Sequence, residues 1–281
     1  MKLTGWMMRA ALPAALAGAA PALAQDAPAP ADDGGDNLTI GLGVSYVPSY
    51  EGSDDYQLSG AGLVRGRVSG FTFYSRATAL YFDVVREPPG APWNVEIGPM
   101  VNVRFDRSSR IGDDQVKALG EIDMAVEAGA FLGATKNGVF HQYDLLTFRL
   151  DVIRDVTGTH GSTLVTPNLE YGTPLSPTVF IGASLSAEHA GDGFARTYYS
   201  VTPAGAAASG LAPYSADGGF RNVRATLLAT WSLSGDLRRG LALFGVGSYA
   251  RMLGDFKDSP IVREAGDADQ FFAAVGLSYS F

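Results

Sequence analysis

The last twelve residues of the chain alternate between apolar and small or polar side chains. Counting back from the end, the apolar set is Phe281, Tyr279, Leu277, Val275, Ala273 and Phe271. The interleaved set is small or polar, with Phe272 as its exception. A strand of this period has one face for hydrocarbon and one for a wetter environment, and its length suffices to cross a bilayer at a tilt. The segment therefore predicts a membrane-crossing β-strand with a terminal aromatic residue.

The same period-two pattern recurs along most of the chain. It is strong in residues 38–46, 93–105, 122–134, 179–187 and 221–233, and weaker in 57–68, 144–154, 163–172 and 241–252. Segments of roughly ten residues separated by turn residues are typical of transmembrane barrel strands. A soluble β-sandwich also alternates, but no second apolar set is present to fill its core. We therefore predict an all-β fold, a transmembrane antiparallel up-and-down β-barrel, over residues 37–281.

The number of strands is less directly fixed by the pattern. Between residues 69 and 86 the apolar positions change from odd (Phe71, Phe73) to even (Leu80, Phe82), which indicates a break within one segment. Because single-chain bacterial barrels have an even strand number, we predict about 12 strands, within a range of 10–12. Long segments (106–120, 155–162, 189–219, 253–269) alternate with short ones (135–140, 173–178, 234–240). Since the outer loops are usually the longer set, both termini are expected in the periplasm.

The first 36 residues have the composition of an export signal and a leader. Lys2 and Arg9 precede or flank an apolar run, and Ala22 and Ala24 form an A-x-A cleavage site. Residues 1–24 are therefore expected to be a secretory signal peptide, since the run is too short for a membrane anchor. Residues 25–36, rich in Pro, Ala and Asp, are expected to be a flexible periplasmic leader. The expected location is the outer membrane of a Gram-negative cell.

Composition excludes several classes of function. The chain has no Cys, so disulfides and thiolate metal sites are impossible. No stretch of about 18 apolar residues follows the signal, which excludes a helical membrane protein. The formal net charge is −8, and an acidic chain does not suit nucleic-acid phosphates. We expect no nucleic-acid partner, no metal and no cofactor.

The polar faces of the predicted strands carry charged residues. If the apolar faces contact lipid, nine charges point into the lumen: Glu96, Arg104, Asp123, Glu127, Arg149, Asp151, Glu170, Glu188 and Arg224. A lined channel whose acids select cations is one interpretation. A plug of paired charges that fills a narrow barrel is the other. The sequence does not decide between them.

One predicted loop holds residue types that could perform hydrolysis. Asp155, His160 and Ser162 could in principle form an orienter, a base and a nucleophile. Closeness in sequence is not geometry, however, and a solvated loop histidine is far commoner. We therefore expect no catalytic residues and no enzymatic activity. The acidic residues of the other loops lack the regular spacing of a calcium-binding loop.

Several loop motifs together resemble the MipA/OmpV family of MltA-interacting outer-membrane proteins. They are residues 47–53 (VPSYEGS), 154–162 (RDVTGTHGS), 197–214 (TYYSVTPAGAAASGLAPY) and 252–262 (MLGDFKDSPIV), with the Phe281 ending. The resemblance implies an outer-membrane barrel in contact with lipid and lipopolysaccharide, with Phe281 as its signal to the barrel-assembly machinery. It also implies a structural scaffold for a periplasmic lytic transglycosylase and a murein synthase, with a porin-like small-solute channel as the alternative. An adhesin and an outer-membrane hydrolase are the less favoured alternatives. Family membership brings no settled catalytic residues with it.

Overall fold

Twelve antiparallel strands form a closed barrel in the computed structural model, which describes residues 35–86 and 90–281. Each strand is hydrogen-bonded to its neighbours in sequence, and the last strand pairs with the first. The predicted up-and-down barrel of about 12 strands is therefore confirmed. The expected signal peptide, residues 1–24, and nearly all of the leader lie outside the described residues.

The strands follow the predicted segments closely. Their bounds are β1 Asn37–Pro48, β2 Tyr56–Val68, β3 Phe71–Arg76, β4 Ala79–Asp83, β5 Trp93–Arg104, β6 Ala125–Asn137, β7 Leu145–Asp155, β8 Thr163–Ser176, β9 Val179–Ala190, β10 Gly219–Ser232, β11 Gly240–Met252 and β12 Asp269–Ser280. Among the described residues, five short helices lie between strands: α1 Asp114–Ala118, α2 Asp192–Tyr199, α3 Pro203–Ser209, α4 Gly254–Asp258 and α5 Pro260–Arg263. In the described part of the chain, no helix has both the length and the hydropathy needed to span a bilayer.

The two ends of the barrel are built differently. All five helices lie in connections at one end, which we call the loop end. The opposite end, the turn end, holds the start of β1, the end of β12 and mostly short connections such as residues 177–178 and 233–239. Both ends of the barrel chain therefore lie at the turn end, as the alternation of long and short segments predicts. The helices were not predicted, because none is long enough to show a helical period.

The change of apolar phase between residues 69 and 86 marks a hairpin. Strands β3 and β4 are joined by two residues, and Ala77 at this turn has a φ of 52°. The short turn reverses the chain, so the outward positions change from odd to even numbers. Both strands are much shorter than their neighbours β2 and β5. The predicted division of this region into two short strands is confirmed.

Alternation places apolar side chains outside and a mixed set inside. Leu42, Leu227 and Trp231 are exposed on the outer surface, which suits lipid. Inside, the wall formed by β1, β2, β11 and β12 carries a buried apolar cluster: Val47, Phe244, Val246, Phe272 and Ala274. The buried ion pairs between strands lie on the other strands of the barrel, β3 and β5 to β10. The lumen therefore has an apolar side that is filled and a charged side.

Gly129 on β6 shows how closely two strands approach. A Cβ atom added there would lie 1.9 Å from the carbonyl oxygen of Val152 on β7. At Gly133, on the same strand, the corresponding distance is 3.4 Å, to the carbonyl oxygen of Phe148. We expect Gly129→Ala to destabilise the barrel by about 2–3 kcal/mol, because the strands must separate, and Gly133→Ala to cost far less. Urea unfolding in lipid vesicles measures both; equal midpoints would contradict the expected difference.

Candidate functional site

Charged and aromatic side chains of non-adjacent strands meet across the barrel. The hydroxyl of Tyr81 on β4 donates to Oδ2 of Asp151 on β7 at 3.0 Å. Arg76 at the end of β3 makes two hydrogen bonds of 2.8 Å to the carboxylate of Glu170 on β8. Strands this far apart around the wall can touch only through the interior. These side chains therefore lie in the lumen.

Arg149 is the centre of the first charged cluster. Its Nε donates to Oδ1 of Asp151 at 2.8 Å, and its Nη1 donates to Oε1 of Glu170 at 2.6 Å. Its guanidinium carbon lies 5.2 Å from the centre of the Tyr81 ring. With Arg76 the cluster contains two cations and two anions. Burial of these four charges is tolerable because each one is paired.

Glu127 is the centre of the second cluster. It is fully buried and accepts hydrogen bonds from Arg104 Nε at 2.8 Å and Asn102 Nδ2 at 2.6 Å. Nε2 of His160 lies 3.0 Å from the same carboxylate. The backbone N–H of Ser162 donates to Nδ1 of His160, so the ring proton resides on Nε2 and is donated to Glu127. The histidine is thus a structural hydrogen-bonding partner of the lumen acid.

The loop residues that could form a catalytic triad are not arranged as one. The Asp155 carboxylate accepts backbone N–H groups from Thr157, Gly158, His160 and Gly161. It therefore orders the loop and makes no hydrogen bond to the imidazole of His160. A triad requires that hydrogen bond to orient the base. The constellation supports loop structure and does not assemble hydrolytic chemistry.

A third set of charges joins the barrel wall to the loops. Nε of Arg221 donates to Glu188 at 2.7 Å, and the same guanidinium pairs with Glu51 in the β1–β2 loop. The backbone N–H of Glu51 donates to Oδ1 of Asp106 at 2.9 Å. Two loops and two strands are held together by these contacts. Polar contacts thus fix the loops directly onto the lumen charges.

The loops form a packed layer at the loop end, which we call the cap. It consists of residues 49–55, 105–124, 191–218 and 253–268 and contains all five helices. Two buried clusters hold it together: Leu164, Ala190, Phe194, Ala195, Tyr198, Tyr199, Ala216, Met252, Phe256 and Val262 in one, and Tyr50, Ile111, Val116, Val201, Leu211, Ile261 and Ala265 in the other. The cap therefore has its own apolar core.

Phe194 on α2 joins this core to the charged network. The side chain is fully buried. Its ring centre lies 4.8 Å from the guanidinium carbon of Arg104 and 5.2 Å from that of Arg221. The His160 ring lies 5.2 Å away, edge to face. Cation–π contacts of this kind stabilise desolvated arginines, so the helix is anchored on the lumen charges.

Beneath the cap the lumen contains a cavity of about 150 Å³. Its polar lining comes from seven strands and one hairpin tip: Arg76, Thr78, Tyr81, Asn102, Arg104, Asp151, Thr166, Asn168, Ser186, Glu188, Arg221, Asn222 and Arg224. The amides and guanidinium groups together offer many N–H donors. A small polar molecule or a few waters fit such a space.

Eight of the nine predicted lumen charges lie on strands with inward-facing side chains. Glu96 contacts the Tyr74 hydroxyl at 3.1 Å, and Arg224 donates to Ser248 Oγ at 3.4 Å. The other six are those described above: Arg104, Glu127, Arg149, Asp151, Glu170 and Glu188. Asp123 differs, since it is exposed and precedes the start of β6 at Ala125. The predicted strand began three residues too early, because Ile122 and Met124 continue the apolar alternation into the loop.

Sequence reasoning missed several residues of the network. Arg76 and Tyr81 lie on the two short strands, where the change of phase hid which face was inward. Arg221 has the parity of an outward residue, but the register shifts between Phe220 and Asn222 and turns it inward. Glu51 and the other loop contributors carry no periodic signal at all. Only the register shift could have been suspected, from an arginine on an apolar face.

Asp106 gives the cap a pH-dependent contact. Burial raises the pKa of its carboxyl to about 6, against the opposing charges of Arg104 and Arg107. Because this pKa is raised, the folded state binds the proton of Asp106 more tightly than the unfolded state does. The protonated carboxyl therefore contributes fully to stability below about pH 4, and this contribution is lost as the pH rises to about 6. We expect Asp106→Asn to abolish this loss of stability with rising pH, which is at most about 1.4 kcal/mol per pKa unit. Asp54→Asn should show the same loss as the wild type. Urea midpoints at about pH 4, 5, 6 and 7 measure it; parallel curves for wild type and Asp106→Asn would contradict it.

Solved structures with a similar fold are porins and channels of distant sequence. An anion-selective porin from Comamonas acidovorans is 9% identical with a TM-score of 0.41, covering 88% of this chain and 99% of its own. An outer-membrane channel from Pseudomonas putida F1 is 9% identical with a TM-score of 0.43, covering 90% and 97%. The NanC porin is 6% identical with a TM-score of 0.45, covering 86% and 98%. Similarity at this level does not extend to function.

Sequence comparison gives a more specific result. A search of the curated proteins found no significant match. Residues 40–281 match the family described as MltA-interacting protein MipA, and this range includes every strand of the barrel except the first residues of β1. The resemblance of the loop motifs is thereby confirmed. The chain is a membrane β-barrel that belongs to the MipA family.

Proposed function

We propose that this protein is an outer-membrane barrel with a closed lumen that acts as a structural scaffold for periplasmic murein-processing enzymes. The observation that carries the closed lumen is the cap, whose apolar core packs on Arg104 and Arg221, both of which form ion pairs. An open porin needs a continuous aqueous path. A barrel closed in this way is better suited to holding partners than to passing solutes.

Pairing of the lumen acids supports the plug over the cation-selective channel. Glu127, Asp151 and Glu170 are each hydrogen-bonded to an arginine. A selectivity filter instead presents carboxylates that a passing ion can coordinate. At mid-height the Tyr81 ring also stacks on Tyr74 with centres 5.0 Å apart and lies edge-on to Phe131 at 5.1 Å. These aromatic rings fill space through which an ion would have to move.

The family description, MltA-interacting, supports the scaffold role. With the loop end outside, the turn end faces the periplasm, where murein enzymes work. The turn at residues 138–144 has a defined shape, because Asp144 accepts N–H groups from Val139, Phe140 and His141. It holds Phe140 and Tyr143 outward, with 73% and 63% of their surfaces exposed. Aromatic anchors on a rigid turn are typical of binding hot spots, and we assign the docking of the enzyme to this turn.

Co-purification with a lytic transglycosylase tests the scaffold. The folded barrel is immobilised and mixed with the purified enzyme, and the bound fraction is measured. We expect retention by the wild type, and a loss of about tenfold or more in affinity for the double variant Phe140→Ser, Tyr143→Ser. Leu58→Ser, an exposed site on β2 toward the loop end, is the control. If the wild type did not retain the enzyme, the scaffold would be contradicted. If the double variant retained as much enzyme as the wild type, the assignment of docking to this turn would be contradicted.

A small-solute channel is the second candidate, and the charged cavity favours it. The cavity already provides a polar compartment of about 150 Å³ within the barrel. If the cap opened, solutes could enter it from the loop end. Liposome swelling in small sugars tests this function, since uptake above protein-free vesicles supports a channel and its absence supports the closed scaffold.

A further inference from the structure

The barrel wall has a notch at the loop end. Strand β2 pairs with β1 along its whole length, but with β3 only over Arg65–Val68. On that side, no strand of the described residues pairs with residues 56–63. The cause is the short β3–β4 hairpin, whose tip at residues 77–78 lies well below the top of β2, although it reaches the end of β5, where the Val103 N–H donates to the Thr78 carbonyl. Open strand edges do not persist within the hydrocarbon of a bilayer unless they line a cavity or a path.

Loops close the notch from above and turn it into a window. The N–H of Gly112 donates to Oγ of Ser49 at 3.2 Å, across the gap between the β5–β6 and β1–β2 loops. The Glu51–Asp106 hydrogen bond makes a second tie. The opening is thus framed by the β2 edge, the hairpin tip, the end of β5 and these loops. It faces sideways, toward the membrane, while the cap covers the axial exit.

The lumenal cavity extends to this window. Ala77, Val103 and Phe105, which form the lower and far rims, also line the cavity. Deeper inside, the Asn222 side chain lines the cavity with only 3% of its surface exposed. Its amide can both donate and accept hydrogen bonds. A polar group bound in the cavity could therefore form hydrogen bonds with it.

Positively charged side chains outnumber negatively charged ones in the cavity wall. Arg76 and Arg104 line it, whereas the carboxylates that neutralise them, on Glu170 and Glu127, lie behind and do not. Two acids do reach the cavity, and both are bonded to arginines: Asp151 to Arg149 and Glu188 to Arg221. A bound head group thus meets guanidinium and amide N–H donors first. Such a wall favours an anionic, acceptor-rich group.

The geometry points to a lateral binding site for a single-chain amphiphile: an anionic head group occupies the lumenal cavity beside Asn222, and its apolar tail leaves through the window into the bilayer. The apolar rim at Ala77, Val103 and Phe105 suits a hydrocarbon chain. This site is independent of the proposed scaffold, because it needs no murein enzyme and no open pore.

Laurate is the probe for this site. Native mass spectrometry of the folded protein in a non-ionic detergent is used to titrate laurate, dodecanol and butyrate. We expect one laurate per barrel, bound about tenfold or more tightly than dodecanol, which lacks the charge, or butyrate, which lacks the tail. Laurate binding no stronger than dodecanol would overturn the anionic head site. Butyrate binding as tight as laurate would overturn the lateral route and indicate a site for free anions.

Two variants locate the site. Val103→Trp narrows the window, and Asn222→Leu removes the amide beside the head group; each is expected to weaken laurate binding about tenfold. Val95→Trp, on the lipid-facing side of the same strand β5, is the matched control and should bind as the wild type does. Heat-dependent migration on gels confirms that each variant is folded. Equal laurate affinity in the wild type, Val103→Trp and Val95→Trp would overturn the proposal even if Asn222→Leu failed to fold.

Discussion

Arg149→Met is expected to destabilise the barrel by about 3–5 kcal/mol, because it leaves buried carboxylates without their cation. Asp151 would lose its hydrogen bond from Nε, and Glu170 would lose its hydrogen bond from Nη1. Methionine nearly fills the volume of the arginine side chain, so the loss of stability reports the missing charge more than a change in packing. Urea unfolding of the folded protein in neutral lipid vesicles measures the change in the free energy of unfolding.

Arg154→Met is the matched control on the same strand. Its guanidinium is exposed at the loop end and donates to Thr163 Oγ1 at 3.2 Å. We expect its removal to cost less than about 1 kcal/mol, as for other exposed contacts. If Arg149→Met and Arg154→Met unfolded at the same urea concentration, the lumen network would not be the stabilising plug described above.

Phe194→Ala is expected to loosen the cap while the barrel stays folded. A buried Phe→Ala change costs about 3–5 kcal/mol, and here the loss falls on the contacts between α2 and the lumen charges. Arg104 and Arg221 would also lose their cation–π partner. Proteolysis of the vesicle-bound variant should cut within residues 191–218 about tenfold or more faster than in the wild type. The reason is that the variant lowers the free energy needed to open the cap, so the cleavable open form is more populated.

Phe220→Ala provides the comparison for the cap. This residue is near the same loop but is exposed, and its ring packs on His189 outside the barrel. Its cleavage rate should match the wild type. Equal rates for Phe194→Ala and the wild type would mean that other contacts hold the cap without the α2 anchor.

Period-two alternation was sufficient to predict the strands, because the barrel exposes one face of every strand to lipid. Even the β3–β4 hairpin was foreseen from its change of phase. The cap was not, because its helices are only four to eight residues long and pack through residues scattered over several loops. Such packing depends on contacts distant in sequence, which no local period records.

The lumen site was predictable only in part, for similar reasons. Along the regular strands, odd or even position alone correctly predicted that Glu127, Arg149 and Glu170 face inward. Parity failed at Arg221, where a register shift turns the chain, and at Asp123, where the strand has not yet begun. Pairing of the charges could not be foreseen either, since it depends on which strands face each other across the barrel. Sequence therefore left the channel and the plug as equal alternatives, and the pairing of the lumen charges supports our proposal of the plug.

Single-channel recording of the folded protein in a planar bilayer tests the closed lumen most directly. Folding is verified first by heat-dependent migration on gels, and currents are recorded at low and high salt, since screening changes ion selectivity. The paired charges and the packed cap predict a silent barrel with no discrete conductance steps at either salt concentration. Stable steps with a preference for cations in the folded wild-type protein would contradict the closed lumen and make the charged channel the primary function.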